Sequence, residues 1–134
     1  MWPPEVERIA EPLRAAGVEA RLEQLPAGHD TFPGVGVRAF AYDCDGREIV
    51  VLVEADGEPD PAKVASAAGC RDARRMPPPP FPYGGAGRVL LEQRLLTAET
   101  VWLEAGSARH FLGLNPTVLA QVTRAAAADL SREG

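Results

Sequence analysis

The chain has 134 residues, enough for one domain with a real core and too few for two. Its 46% hydrophobic and 25% charged content are ordinary for a globular protein, and no apolar run approaches the length of a membrane span. The net charge of −5 argues against a protein that wraps nucleic acid through its phosphates, yet Arg71, Arg74, Arg75, Arg88 and Arg94 make one segment locally basic. The opening MWPPEVERIAE lacks a basic region followed by an apolar core, so a cytoplasmic location and no membrane partner are expected. Cys44 and Cys70 stand far apart, with no CxxC pair and no histidine neighbour. They imply neither zinc nor a disulfide framework and read as free thiols.

Pro3–Ala16 is predicted as the first helix, because Pro3 and Pro4 suit a first turn and Val6, Ile9, Leu13 and Ala16 share one face. Pro12 either kinks that helix or splits it, and Gly17 is the expected stop. Val18–Leu25 alternates apolar with charged residues, as a half-buried strand does. Pro26–Gly36 is a loop by composition. Val37–Tyr42 and Glu48–Glu54 are predicted to pair as a hairpin across Asp43–Gly46, where Asp-Gly is a strong turn signal. Ile49–Val53 is apolar on both faces, the pattern of a central strand.

Pro61–Ala68 reads as a short helix capped by Asp60 and ended by Gly69. Asp72–Met76 is expected to add a helical turn. Met76–Gly87, MPPPPFPYGGAG, is the one biased segment, and its prolines forbid a regular central strand. A linker and a ligand for a proline-binding module are alternatives. The preferred reading is a rigid, ordered loop over the domain, with Arg74, Arg75 and Arg88 near its base, because Val89-Leu90-Leu91 resumes a strand at once. Arg94–Thr97 turns the chain into a second hairpin, Thr100–Leu114, whose apolar arms flank Ala105–Arg109. A helix over Pro116–Leu130 is expected to follow, opened by Pro116 and Thr117.

No Ser-His-Asp set, HExxH, P-loop or Rossmann fingerprint is present. The string from Glu104 to Leu119, EAGSARHFLGLNPTVL, resembles the "aGs…h…l.l.P.dL" signature of the YbaK/ProX family of aminoacyl-tRNA deacylases, which are related to the editing domain of prolyl-tRNA synthetases. Order of elements supports the likeness from Val18 onward. The resemblance implies a single α+β domain over residues 1–134, with a central mixed, largely antiparallel sheet that curls around a pocket and is flanked by helices. It implies a trans-editing hydrolase that cleaves the ester of a small misattached amino acid on tRNA, without cofactor or metal. The partners implied are the acceptor end of aminoacyl-tRNA and, as a further candidate, an aminoacyl-tRNA synthetase; DNA is not among them.

Site residues follow from the same resemblance, position by position. Arg38 falls where the family carries a lysine in "vKtl", and it would anchor a terminal phosphate or ribose; arginine is planar and wider, but can hold a phosphate with two hydrogen bonds. Gly106 and Ser107 match the Gly-Ser turn that shapes the ester site, and His110 matches a histidine against the amino acid. The "GxxxP" loop maps to Pro78–Pro82, with Pro78 at the motif glycine and the loop rebuilt around Gly84, Gly85 and Gly87. In such families water is positioned by backbone groups and helped by the adenosine's own hydroxyl, not by a side-chain base. Each assignment has a plain structural alternative: a tight turn at Gly106-Ser107, a core histidine at His110, an exposed strand cation at Arg38. The rival function is a lapsed relative that binds aminoacyl-tRNA, a nucleotide or a synthetase through the same cleft.

Overall fold

The computed structural model describes residues 4–15, 17, 21–24, 32–79, 81, 83, 85–104 and 110–132. Helix α1 spans Pro4–Ala15 and runs through Pro12 as one element, sending Leu13 into the core. Strand β1, Arg21–Gln24, follows. Strands β2 (Val35–Cys44) and β3 (Arg47–Glu54) form the predicted hairpin, with Cys44 opposite Arg47. Only Asp45 and Gly46 lie between them, both at positive φ (52° and 89°), which is the type I′ turn that Asp-Gly favours. The Gly46 N–H donates to Asp43 Oδ1 at 2.9 Å and fixes the turn.

Helix α2, Pro61–Ala68, matches its prediction at both ends. Asp60 Oδ1 accepts from the Ala62 N–H at 2.9 Å, and Gly69 closes the helix at φ 73°. The next element departs from expectation. Ala73–Met76 is strand β4, not a helical turn, and it pairs antiparallel with Ala41–Cys44 of β2. Its pairing with the free half of that edge outweighs the local preference. Strand β5 is Arg88–Glu92, and Gln93–Thr97 forms a 3-10 helix. Strands β6 (Val101–Glu104) and β7 (His110–Leu114) make the second hairpin, with Leu103 opposite Leu112. Helix α3 covers only Pro116–Thr123. Arg124 then turns left-handed at φ 58°, and Ala126–Ala128 becomes strand β8 beside β5. The expected helix through Leu130 is thus cut short, because β5 offers an edge to pair.

Among the described residues, eight strands form one mixed sheet in the order β1-β7-β6-β2-β3-β5-β8, with β4 also beside β2. Antiparallel contacts (β1·β7, β6·β7, β2·β3, β2·β4) outnumber parallel ones (β2·β6, β3·β5, β5·β8) by four to three. Strand β3 is central, and Ile49 through Val53 are each fully buried. Val50 and Leu52 pack toward Leu13, Leu95, Leu112 and Leu119 on one face. Ile49, Val51 and Val53 pack toward Val64, Leu90 and Leu130 on the other. The chain is therefore α+β, as the resemblance implied.

Two further ties hold the second face. Cys44 and Cys70 are joined in a disulfide, Cα to Cα 5.7 Å, and so are not free thiols. They are 26 positions apart in sequence, but β4 sets Ala73 opposite Cys44 and brings Cys70 alongside. The Glu92 carboxylate is fully buried and gathers three backbone donors: Arg94 N–H at 2.7 Å, Leu130 N–H at 2.9 Å and Ser131 N–H at 3.1 Å. It caps the 3-10 helix and fastens the C-terminal segment with one side chain.

Candidate functional site

One edge of β2 is paired with β3 from Val37 to Cys44, while the other is divided. Strand β6 covers Val35–Val37 and β4 covers Ala41–Cys44, leaving Arg38, Ala39 and Phe40 between them. The Gly36 carbonyl accepts from the Ala55 N–H at 2.9 Å, so strand alternation aims the backbone groups of Arg38 and Phe40 at β3. Those of Ala39 face the division. Continuing the register of β4 would bring Pro78 opposite Ala39, and proline has no N–H to offer. The proline run ends the ladder there, and a cavity of about 340 Å³ lies at the break.

Val37, Phe40 and Leu103 supply apolar wall to this cavity, and Arg38 and Glu104 supply opposite charges. Phe81 and Tyr83 of the proline loop complete it. Their rings meet edge to face with centroids 5.6 Å apart. Tyr83 is buried, and burial pushes its hydroxyl up to about 12, so the phenol stays neutral at any ordinary pH. The described part of the loop thus contributes to the cavity wall, while Pro80, Pro82 and Gly84 lie outside the described residues. At its base, Arg75 sets its guanidinium 4.4 Å from the Phe40 ring centroid, Arg74 pairs with Asp72 at 3.0 Å, and Arg88 donates to the Ala67 carbonyl at 3.2 Å.

A second cavity, about 520 Å³, adjoins the first and shares Arg38 with it. Phe32, Gly36, Glu54, Asp56 and Arg94 are among its walls. The Arg38 guanidinium lies 5.9 Å from the Phe32 ring centroid, and that ring meets Phe111 edge to face at 5.0 Å. Any side chain at Gly36 would run into the Phe32 ring, so glycine is what lets the aromatic lie against β2. Arg38 itself is exposed and stands between the two cavities.

Of the residues singled out in the sequence, Arg38 stands at the cavities. His110 opens β7 and is buried, but by register it shares the face of Leu112 and Leu103, opposite to that of Arg38. It is not among the described residues lining either cavity. Gly84, Gly106 and Ser107 lie outside the described residues. Sequence reading passed over Glu104, Phe81 and Tyr83 as site residues. An acidic residue after three apolar ones in β6, and two aromatics inside a proline run, were the available signals. Among the described residues no cluster of His, Cys, Asp or Glu could hold a metal ion, and no helix is long and apolar enough to cross a membrane.

No family model and no curated protein matches the sequence. Solved structures do match. A candidate trans-editing enzyme for prolyl tRNA synthetase superposes with a TM-score of 0.81 at 22% identity, over 99% of this chain and 100% of that one. A scaffold protein from computational epitope grafting gives 0.82 at 20% identity, with the same coverage. A hypothetical protein gives 0.78 at 18% identity, over 92% of this chain and 98% of its own. Likeness at this identity shows the fold: the chain has the single-domain α+β architecture, built on a mixed curved sheet, of a candidate trans-editing enzyme for prolyl tRNA synthetase.

Proposed function

We propose that the protein is an aminoacyl-tRNA deacylase acting in trans, and that residues 1–134 are an editing domain that hydrolyses the ester of a small misattached amino acid on tRNA. The observation that carries this reading is the charged, partly apolar cavity at the break in the β2 edge, with Arg38 at its rim, in a fold shared with a candidate editing enzyme. The acceptor end of tRNA enters with its terminal phosphate on the Arg38 guanidinium, which suits two charge-assisted hydrogen bonds. The amino-acid side chain takes the apolar wall of Val37, Phe40 and Leu103.

Chemistry then needs a positioned water more than a side-chain base. Water attacks the ester carbonyl carbon, the bond to the ribose oxygen breaks, and that oxygen leaves with a proton as the hydroxyl of the terminal ribose. The amino acid departs as its carboxylate. Ala39, whose N–H and C=O face the break, is the backbone group suited to orient substrate or water there. Gly84, Gly106 and Ser107 keep the roles the family resemblance gives them, a rebuilt loop and a small-residue turn beside the ester, whereas His110, absent from both cavity walls, is not assigned the contact to the amino acid.

A panel of mischarged tRNAs, each followed for release of free amino acid, tests the proposal. Turnover of at least one small-residue ester above the uncatalysed rate is expected. Two departures from the family pattern, Arg38 for lysine and Pro78 at the loop glycine, favour one alternative: a lapsed relative that holds aminoacyl-tRNA or a synthetase through this cleft. Binding of the panel without turnover selects that alternative.

A further inference from the structure

Arg38 and Glu104 are neighbours that do not pair. Val37 lies opposite Leu103 in the parallel β2·β6 ladder, so the next position on each strand brings Arg38 and Glu104 to one face of the sheet. Both line the smaller cavity, both are exposed, and among the described residues no ion pair engages either. A cation and an anion held over one apolar cavity without neutralising each other are complementary to a ligand that carries both charges. The 3′ end of a charged tRNA is such a ligand, with an α-ammonium on the amino acid and a phosphate one nucleoside away. Resting on the deacylase reading, we infer that Glu104 recognises the free α-ammonium of the aminoacyl group, and that the site thereby rejects N-acylated substrates.

The physical basis is an asymmetry. A free ammonium gives Glu104 a charge-assisted partner beside the apolar wall of Leu103 and Phe81. An N-acyl group offers no cation and only one neutral amide N–H, so it would strip water from the carboxylate without compensating its charge. Rejecting the blocked form would keep the hydrolase away from peptidyl- and formylaminoacyl-tRNA, whose esters are otherwise alike. Among the described residues that line this cavity, Glu104 is the one carboxylate, so it is the group that distinguishes the two forms by charge.

The test is a titration of the whole protein with 3′-alanylamino-3′-deoxyadenosine 5′-phosphate, a stable amide in place of the ester, and with its N-acetyl derivative. Wild type should bind the free amine tenfold to a hundredfold more tightly, the range of one charge-assisted bond. Glu104→Gln should lose that preference while binding the acetyl form as wild type does, which also reports an intact fold. Equal binding of both forms by wild type, or a preference that survives in Glu104→Gln, overturns the inference and leaves the deacylase reading standing. If neither analogue binds while mischarged tRNA is cleaved, the inference alone falls. If neither binds and no tRNA in the panel is cleaved or bound, both fall.

Discussion

Arg38 stands where the two cavities meet, and its guanidinium is steadied by Phe32 rather than by a carboxylate. Arg38→Ala should therefore cost little stability. In an active enzyme it should lower tRNA affinity or single-turnover deacylation about tenfold to a hundredfold, the worth of a charge-assisted phosphate contact. Arg38→Lys should keep most activity, since a compact cation at this place can still meet a phosphate. Unchanged binding and hydrolysis in a folded Arg38→Ala protein would make Arg38 a surface cation. Glu92 is the opposite kind of residue, buried and structural. Burial would raise its carboxyl, but backbone donors from Arg94, Leu130 and Ser131, with the Arg94 charge, outweigh that and hold it below the ordinary 4.5. A carboxylate depressed on folding contributes stability that is fully present above 4.5 and lost as pH falls through its folded value. Glu92→Gln should cost about 2 kcal/mol at neutral pH, and urea titrations should show that deficit shrinking in acid. A deficit constant down to the acid limit would show that the charge contributes nothing.

Element by element, the chain was legible where local chemistry and tertiary pairing agree. Helix α2 announces itself through Asp60, Pro61 and Gly69, and the β2–β3 hairpin through Asp45-Gly46. Legibility failed where a partner strand decided the outcome. Ala73–Met76 and Ala126–Ala128 carry helix-tolerant residues, yet each completes an edge, beside β2 and β5 respectively. No sequence period announces an edge left open elsewhere. The Cys44–Cys70 pair was missed for the same reason, since its closeness depends on β4 lying against β2. With the two cysteines 26 positions apart, the chain-entropy model gives the link roughly 3.5 kcal/mol of stabilisation. Urea unfolding with and without a thiol reductant should show a loss of that order, and Cys44→Ala should reproduce it without reductant. A midpoint indifferent to reductant would mean that the pair is not closed in solution. At the site, Arg38 was found through a family likeness, while Glu104 and Tyr83 emerge only when β6 and the proline loop meet β2.

In the function proposed above, the chemistry takes place at a break in the sheet. Strands β6 and β4 share one edge of β2 without meeting, the proline run stops the second of them, and the loop returns Phe81 and Tyr83 to wall the space left open. An acidic chain thereby acquires a cavity with the exposed Arg38 guanidinium at its rim, which in the proposed function meets the tRNA terminus. If ester hydrolysis occurs in this cavity, filling the cavity should stop it. Ala39→Leu adds bulk at the break without altering Arg38 or Glu104, and overpacking a partly buried site of this kind costs roughly 1–3 kcal/mol, a loss that thermal unfolding will register. Single-turnover deacylation of the mischarged tRNA that wild type cleaves fastest should then fall at least about tenfold in a protein that is still folded. Deacylation by folded Ala39→Leu at the wild-type rate, or cleavage of no tRNA by the wild type, would contradict hydrolysis in this cavity.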